Sequence, residues 1–180
     1  MADHDRTIIT LHGGLGISGP LARVDAEALG GRRARRALAF LALHHGEVIP
    51  RDTLADAVWD DELPPTWRSA LRTALAGLRT ALRTAGAEGF LTSGEGWDRL
   101  ALTAPSGVDR DQAAALVHLA AGAAEPADAV ALADSAATIL RRPLLPDVEA
   151  EWCEPARRAA TALRLRALDT LARAALTVVP

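Results

Sequence analysis

The chain has 180 residues, 49% of them hydrophobic and 24% charged, with a formal net charge of −3 and one cysteine, Cys153. At ~100–200 residues per domain this is one domain or two small ones, and the apolar share is too high for a disordered chain. No stretch approaches the ~18 apolar residues of a membrane span, and a lone cysteine gives neither an internal disulfide nor a cysteine metal cluster.

No basic-then-apolar leader opens the sequence, so a cytoplasmic protein without membrane contact is expected. Net acidity argues against general coating of nucleic acid. Lysine is absent, so every basic side chain is an arginine, and aromatics are only 3%. Alanine rises from 18 of the first 104 residues to 22 of the last 76. Cores of Ala and Leu favour close helix packing, so the second part reads as all-helical.

In chain order, residues 7–11 (TIITL) are β-branched and bounded by His12-Gly13-Gly14, the pattern of a short strand. Residues 16–18 and 21–24 continue as short strands of an antiparallel sheet. From Gly31 the period changes to that of a helix, residues 32–45, ended by Gly46. Residues 47–50 are a brief extended link. Asp52 is placed to cap a second helix with Leu54, Ala55, Val58 and Trp59 inward.

After the acidic turn 60–65, a longer helix over residues 66–84 carries Leu71, Leu75, Leu78 and Leu82 on one stripe. Ala85-Gly86 stops it. Residues 90–92 and 97–102 flank Ser93-Gly94-Glu95-Gly96 as a hairpin. Residues 104–107 mark a boundary, and helical patterns follow at 108–121, 126–140 and 148–176. The last helix has apolar positions around much of its circumference, including Ala160, Leu163, Leu165, Leu168, Leu171 and Ala175, with nothing after it to cover them.

No catalytic constellation can be assembled. The five histidines are scattered, and His44-His45, neighbours on a helix, diverge too far to chelate together and suit the negative end of the helix dipole instead. Cys153 beside Trp152 reads as a buried, inert thiol. Gly13-Gly14 and Gly30-Gly31 lack the spacing of a phosphate loop. No enzyme activity, metal or cofactor is therefore expected.

The helix at 66–84 carries more information. At about 100° per residue, Arg68, Arg72, Arg79 and Arg83 line one flank of the leucine stripe, while Ser69, Thr73, Ala76 and Thr80 face outward. A basic, polar helix between a shorter helix and a hairpin is how a winged helix-turn-helix enters a major groove, with arginines on phosphates and the hairpin at the minor groove. A solvated flank is the alternative that any arginine row must overcome.

The collinear order of residues 30–46 (GGRRARRALAFLALHHG), 48–59 (VIPRDTLADAVW), the acidic turn and the helix 69–82 resembles the DNA-binding domain of the Streptomyces antibiotic regulatory protein (SARP) family. The order of residues 139–145 (ILRRPLL), Glu151-Trp152 and the helix 157–168 resembles that family's bacterial transcriptional activation domain. The resemblance spans residues 7–176.

It implies a mainly α fold with a small β component. An OmpR/PhoB-type winged helix-turn-helix (α+β) domain at 1–104 would precede an all-α TPR-like helical domain at 105–180. It also implies a regulator of a specialised-metabolite (antibiotic) gene cluster, an activator that binds double-stranded DNA at promoter repeats and recruits RNA polymerase. Carried over, phosphate contacts fall at Arg33, Arg35, Arg68, Arg72 and Arg79, with Thr92 matching in the wing; Asp60, Asp61 and Glu62 face RNA polymerase.

The departures from the family are specific. Ala74, Ala76, Gly77 and Thr80 stand where bulkier polar groups are usual on the open face, and Glu95 stands at the wing tip where a basic residue is usual. Few groups remain there to read base edges. A protein-interaction module that keeps the winged-helix fold but binds DNA weakly is the competing expectation. The helical part is short for the family, as a compact form or a piece of a longer regulator would be. A second copy of the chain, pairing on DNA or through the last helix, is expected to cover its apolar face.

Overall fold

A computed structural model describes residues 6–59 and 63–178. β1 (Ile8–Thr10), β2 (Gly16–Ser18) and β3 (Arg23–Asp25) form an antiparallel meander. A 3-10 turn, Ala26–Leu29, leads through Gly30 and Gly31 into α1 (Arg32–Leu43). β4 (Ile49–Pro50) runs directly into α2 (Arg51–Val58). Asp52 does not cap α2. Pro50 holds the cap position without a side-chain bond, and the carboxylate lies in the first turn, where it still suits the helix dipole.

α3 (Trp67–Ala85) is stopped by Gly86, whose φ of 80° is a left-handed conformation that side chains resist. β5 (Leu91–Gly94) and β6 (Trp97–Leu100) form the hairpin. Residues 47–50, read from sequence as a brief extended link, supply its third strand, with Ile49 opposite Asp98 and Pro50 opposite Trp97. Pro50 is tolerated because β4 lies at an edge of this sheet, in the order β4-β6-β5.

Three helices follow: α4 (Asp109–Ala121), α5 (Pro126–Leu140) and α6 (Glu154–Val178). They pack on one another through Ala113, Val117, Ala136, Leu140, Leu163 and Ala167. Alanines at these contacts let the helix axes approach closely. α6 is therefore covered by its neighbours along the Leu163–Ala167 side, while Leu165, Leu168 and Leu176 remain exposed.

The main core is shared by both parts of the chain. β7 (Gly107–Val108) adds to the first sheet, parallel to β1. Asp109, buried at the start of α4, accepts the backbone N–H groups of Leu11 and His12, each at 2.9 Å. The segment after α5 returns to the same sheet, where Leu145 N–H donates to Leu11 O at 2.8 Å. Leu144, Leu145, Val148, Cys153 and Ala160 join the core built by α1–α3.

Trp152 stacks edge-on against Phe40 at 5.2 Å and donates its indole N–H to Ala57 O at 2.9 Å. Arg157 then ties the returning loop down by donating to Leu144 O, Leu145 O and Val148 O. The segment 139–145, through Leu144 and Leu145, and Glu151-Trp152 thus form the seam between the helical part and the rest.

Candidate nucleic-acid interface

α3 buries Leu71, Leu75, Leu78 and Leu82 against α1 and α2, as the stripe predicts. A second flank is also covered. Ala74 and Ala81 are buried, and a Cβ at Gly77 would meet Gly30 Cα and Leu29 O at 3.9 Å. This corrects the sequence reading of Ala74 and Gly77 as open-face positions. They are small because the 3-10 turn and β3 pack there.

The open face holds Ser69, Thr73, Ala76 and Thr80, all exposed, beside the arginine flank. Each hydroxyl is turned onto the helix backbone: Ser69 donates to Thr66 O, Thr73 to Ser69 O and Thr80 to Ala76 O. These bonds are local, and a stronger acceptor can recruit the hydroxyls from them.

The arginine flank forms one wall of a cleft between α2, α3 and the hairpin. A cavity of about 430 Å³ lies there, with Arg51 and Asp52 from α2, Arg68, Arg72 and Arg79 from α3, and Ser93, Gly96 and Asp98 from the hairpin. Trp67, Leu71 and Leu75 form its floor. Arg83 lies one turn beyond, beside a smaller cavity of about 200 Å³ that it shares with Arg79. It sits 3.5 Å from Glu88.

Two residues that organise this cleft are missing from the sequence reading. Asp98 has no exposed surface, yet its carboxylate accepts from Arg51 Nε at 3.1 Å and from Ser93 Oγ, and it lies 3.8 Å from Arg79. Arg79 in turn donates to Ser93 Oγ. Arg51 also donates from Nη2 to Gly94 O at 3.1 Å and from its backbone to Gly96 O at 2.9 Å. A buried carboxylate persists only when charged and hydrogen-bonded donors surround it, and these come from α2, α3 and β5. The group fixes the hairpin's position against α3. A signal for it existed in Trp97-Asp98-Arg99-Leu100, where strand alternation puts Asp98 on the inward side with Leu100.

Arg68 lies over the Trp67 ring at 4.3 Å and 3.8 Å from Asp52. Arg72 is exposed, with no side-chain partner among the described residues. Arg33 and Arg35 stand on α1 and do not line the cleft; Arg33 lies over Trp59 at 5.3 Å. Arg36, from the same run, is buried and donates to Ala57 O at 3.3 Å, an internal brace. Thr92 is half-buried in β5 and donates to Arg99 O across the hairpin. Glu95 is exposed at the hairpin tip.

Asp60, Asp61 and Glu62 lie outside the described residues; Trp59 and Leu63, on either side of them, pack against the main core. His44 lies 3.5 Å from Glu47, and His45 Nε2 lies 2.6 Å from Asp111 Oδ2, so the pair diverges as its spacing predicts. Among the described residues no group of three or more His, Cys, Asp or Glu is placed to hold a metal ion. No helix of the described residues is long and apolar enough to cross a membrane.

Three helices with a hairpin fixed to the third make a winged helix, followed here by a helical part. Residues 26–93 match the family described as "Transcriptional regulatory protein, C terminal". A solved structure described as Mycobacterium tuberculosis EmbR in complex with low affinity phosphopeptide is similar over 95% of this chain, with a TM-score of 0.82 and 24% identity. The likeness covers 46% of that chain, so this chain spans less than half its length. No curated protein matches the sequence.

Proposed function

We propose that the chain is a DNA-binding transcriptional regulator that reads promoter repeats through α3 and the hairpin. The observation that carries this reading is the row Arg68, Arg72, Arg79 and Arg83 on one flank of α3, beside a hairpin locked to that helix through Asp98. A duplex laid on the Ser69–Thr73–Thr80 face would have guanidiniums along one phosphate strand and the hairpin along the next groove. Arg33 and Arg35 extend the basic surface onto α1, and Thr92 contributes from the wing.

Within this reading, residues 1–104 bind DNA and residues 105–180 form a TPR-like activation domain of the SARP type. Asp60, Asp61 and Glu62 offer an acidic contact to RNA polymerase, and the regulated genes are a specialised-metabolite cluster. Leu165, Leu168 and Leu176 on α6 are the surface through which a second copy would pair.

A second reading, a protein-interaction module with weak DNA binding, is favoured by Glu95 at the hairpin tip and by the ion pairs that occupy Arg68, Arg79 and Arg83. Glu95→Arg separates the two. Under the first reading it tightens duplex binding about tenfold, by removing a repelling charge and adding a phosphate contact. Unchanged affinity puts the hairpin tip away from DNA and favours the second.

A further inference from the structure

The cleft between α2, α3 and the hairpin has a property that duplex binding does not require. It is recessed, and its volume of about 430 Å³ falls within the ~300–1,000 Å³ of small-molecule sites. Among the described lining residues, four guanidiniums, of Arg51, Arg68, Arg72 and Arg79, face two carboxylates, of Asp52 and Asp98, an excess of two positive charges. Asp98 is already saturated by Arg51, Arg79 and Ser93. The uncompensated charge therefore centres on Arg72, which has no partner among the described residues, and on Arg68, held loosely at 3.8 Å from Asp52. Stacking on Trp67 fixes the Arg68 guanidinium at the cleft and leaves its edge free for hydrogen bonds.

We propose that this cleft binds a small phosphate monoester, and that its occupation competes with DNA for Arg72. A monoester carries about −1.5 to −2 charges at pH 7 and three terminal oxygens, which suits two guanidinium forks and the charge excess. A backbone diester has one charge and is tethered on both sides, so it spans the mouth of the cleft instead of entering it. Binding of the monoester stands independently of the proposed DNA function; the competition rests on it.

Isothermal titration calorimetry of the full chain with phenyl phosphate, and with dimethyl phosphate as the diester control, tests the site. The monoester is expected to bind about tenfold or more tightly than the diester, and Arg72→Ala to weaken it by a similar factor. Arg72 is exposed and has no side-chain partner among the described residues, so its removal leaves the fold intact. Arg166→Ala, exposed on α6 and not among the residues lining the cleft, is expected to leave monoester binding unchanged. Absence of monoester binding, equal binding of the diester, or indifference to Arg72→Ala overturns the site. Phenyl phosphate is also expected to release a bound duplex more than sodium chloride at equal ionic strength, and equal release overturns the competition. A chain that binds the monoester but no duplex keeps the site and refutes only the DNA reading.

Discussion

Asp98 draws donors from α2, α3 and β5 onto one carboxylate that has no contact with solvent. Removing it leaves the Arg51 and Arg79 charges without their common acceptor, so Asp98→Ala is expected to cost about 3 kcal/mol in urea unfolding. The same substitution should loosen the hairpin, seen as faster amide exchange at Ser93 and Gly94. Gly77 offers a prediction of opposite sign. A Cβ there meets Gly30 and Leu29 only at 3.9 Å, ordinary contact, while glycine inside a helix costs about 1 kcal/mol against alanine. Gly77→Ala should therefore raise the urea midpoint. Asp98 was legible in principle, from strand alternation. The role of Gly77 was not, because nothing local to 66–84 reveals that the distant 3-10 turn packs on a second flank of that helix.

At the scale of elements, the leucine stripe of α3 and its arginine flank follow from periodicity and the hairpin from its Gly-containing turn, because each is set by spacing within a few residues. β4 was hidden. Two residues carry too little pattern to announce a strand, and only pairing with β6 makes them one. Truncating arginines on α3 measures what the helix does. Arg72→Ala is expected to reduce the slope of log affinity against log salt by about 1, uniformly across duplex sequences, as a phosphate contact does. A loss confined to particular sequences would instead make Arg72 a base reader.

For the whole molecule, the seam between the winged helix and the helical part is built by residues remote in sequence. Trp152 packs on Phe40 and bonds Ala57 O, Leu145 bonds Leu11, and Asp109 caps the end of the first sheet. Composition announced a helical second part, yet the shared core depends on contacts that no local pattern encodes. Trp152→Ala removes a half-buried ring and a hydrogen bond at the seam, and is expected to cost about 3 kcal/mol. Because the core is continuous, that loss should move the far-ultraviolet and tryptophan-fluorescence unfolding curves together. Separate transitions would mean that the two parts fold independently. The net charge of −3 does not oppose the proposed DNA binding, since Arg68, Arg72, Arg79 and Arg83 are gathered on one helix flank.

Whether this flank binds duplex DNA is measured by fluorescence anisotropy with duplexes tiled across the promoter regions of the protein's own genomic neighbourhood, at 50 and 200 mM salt. About four phosphate contacts predict that affinity for the bound duplexes falls roughly 100-fold over that range. No binding to any duplex, or binding indifferent to salt, would mean that the arginine row of α3 does not hold DNA.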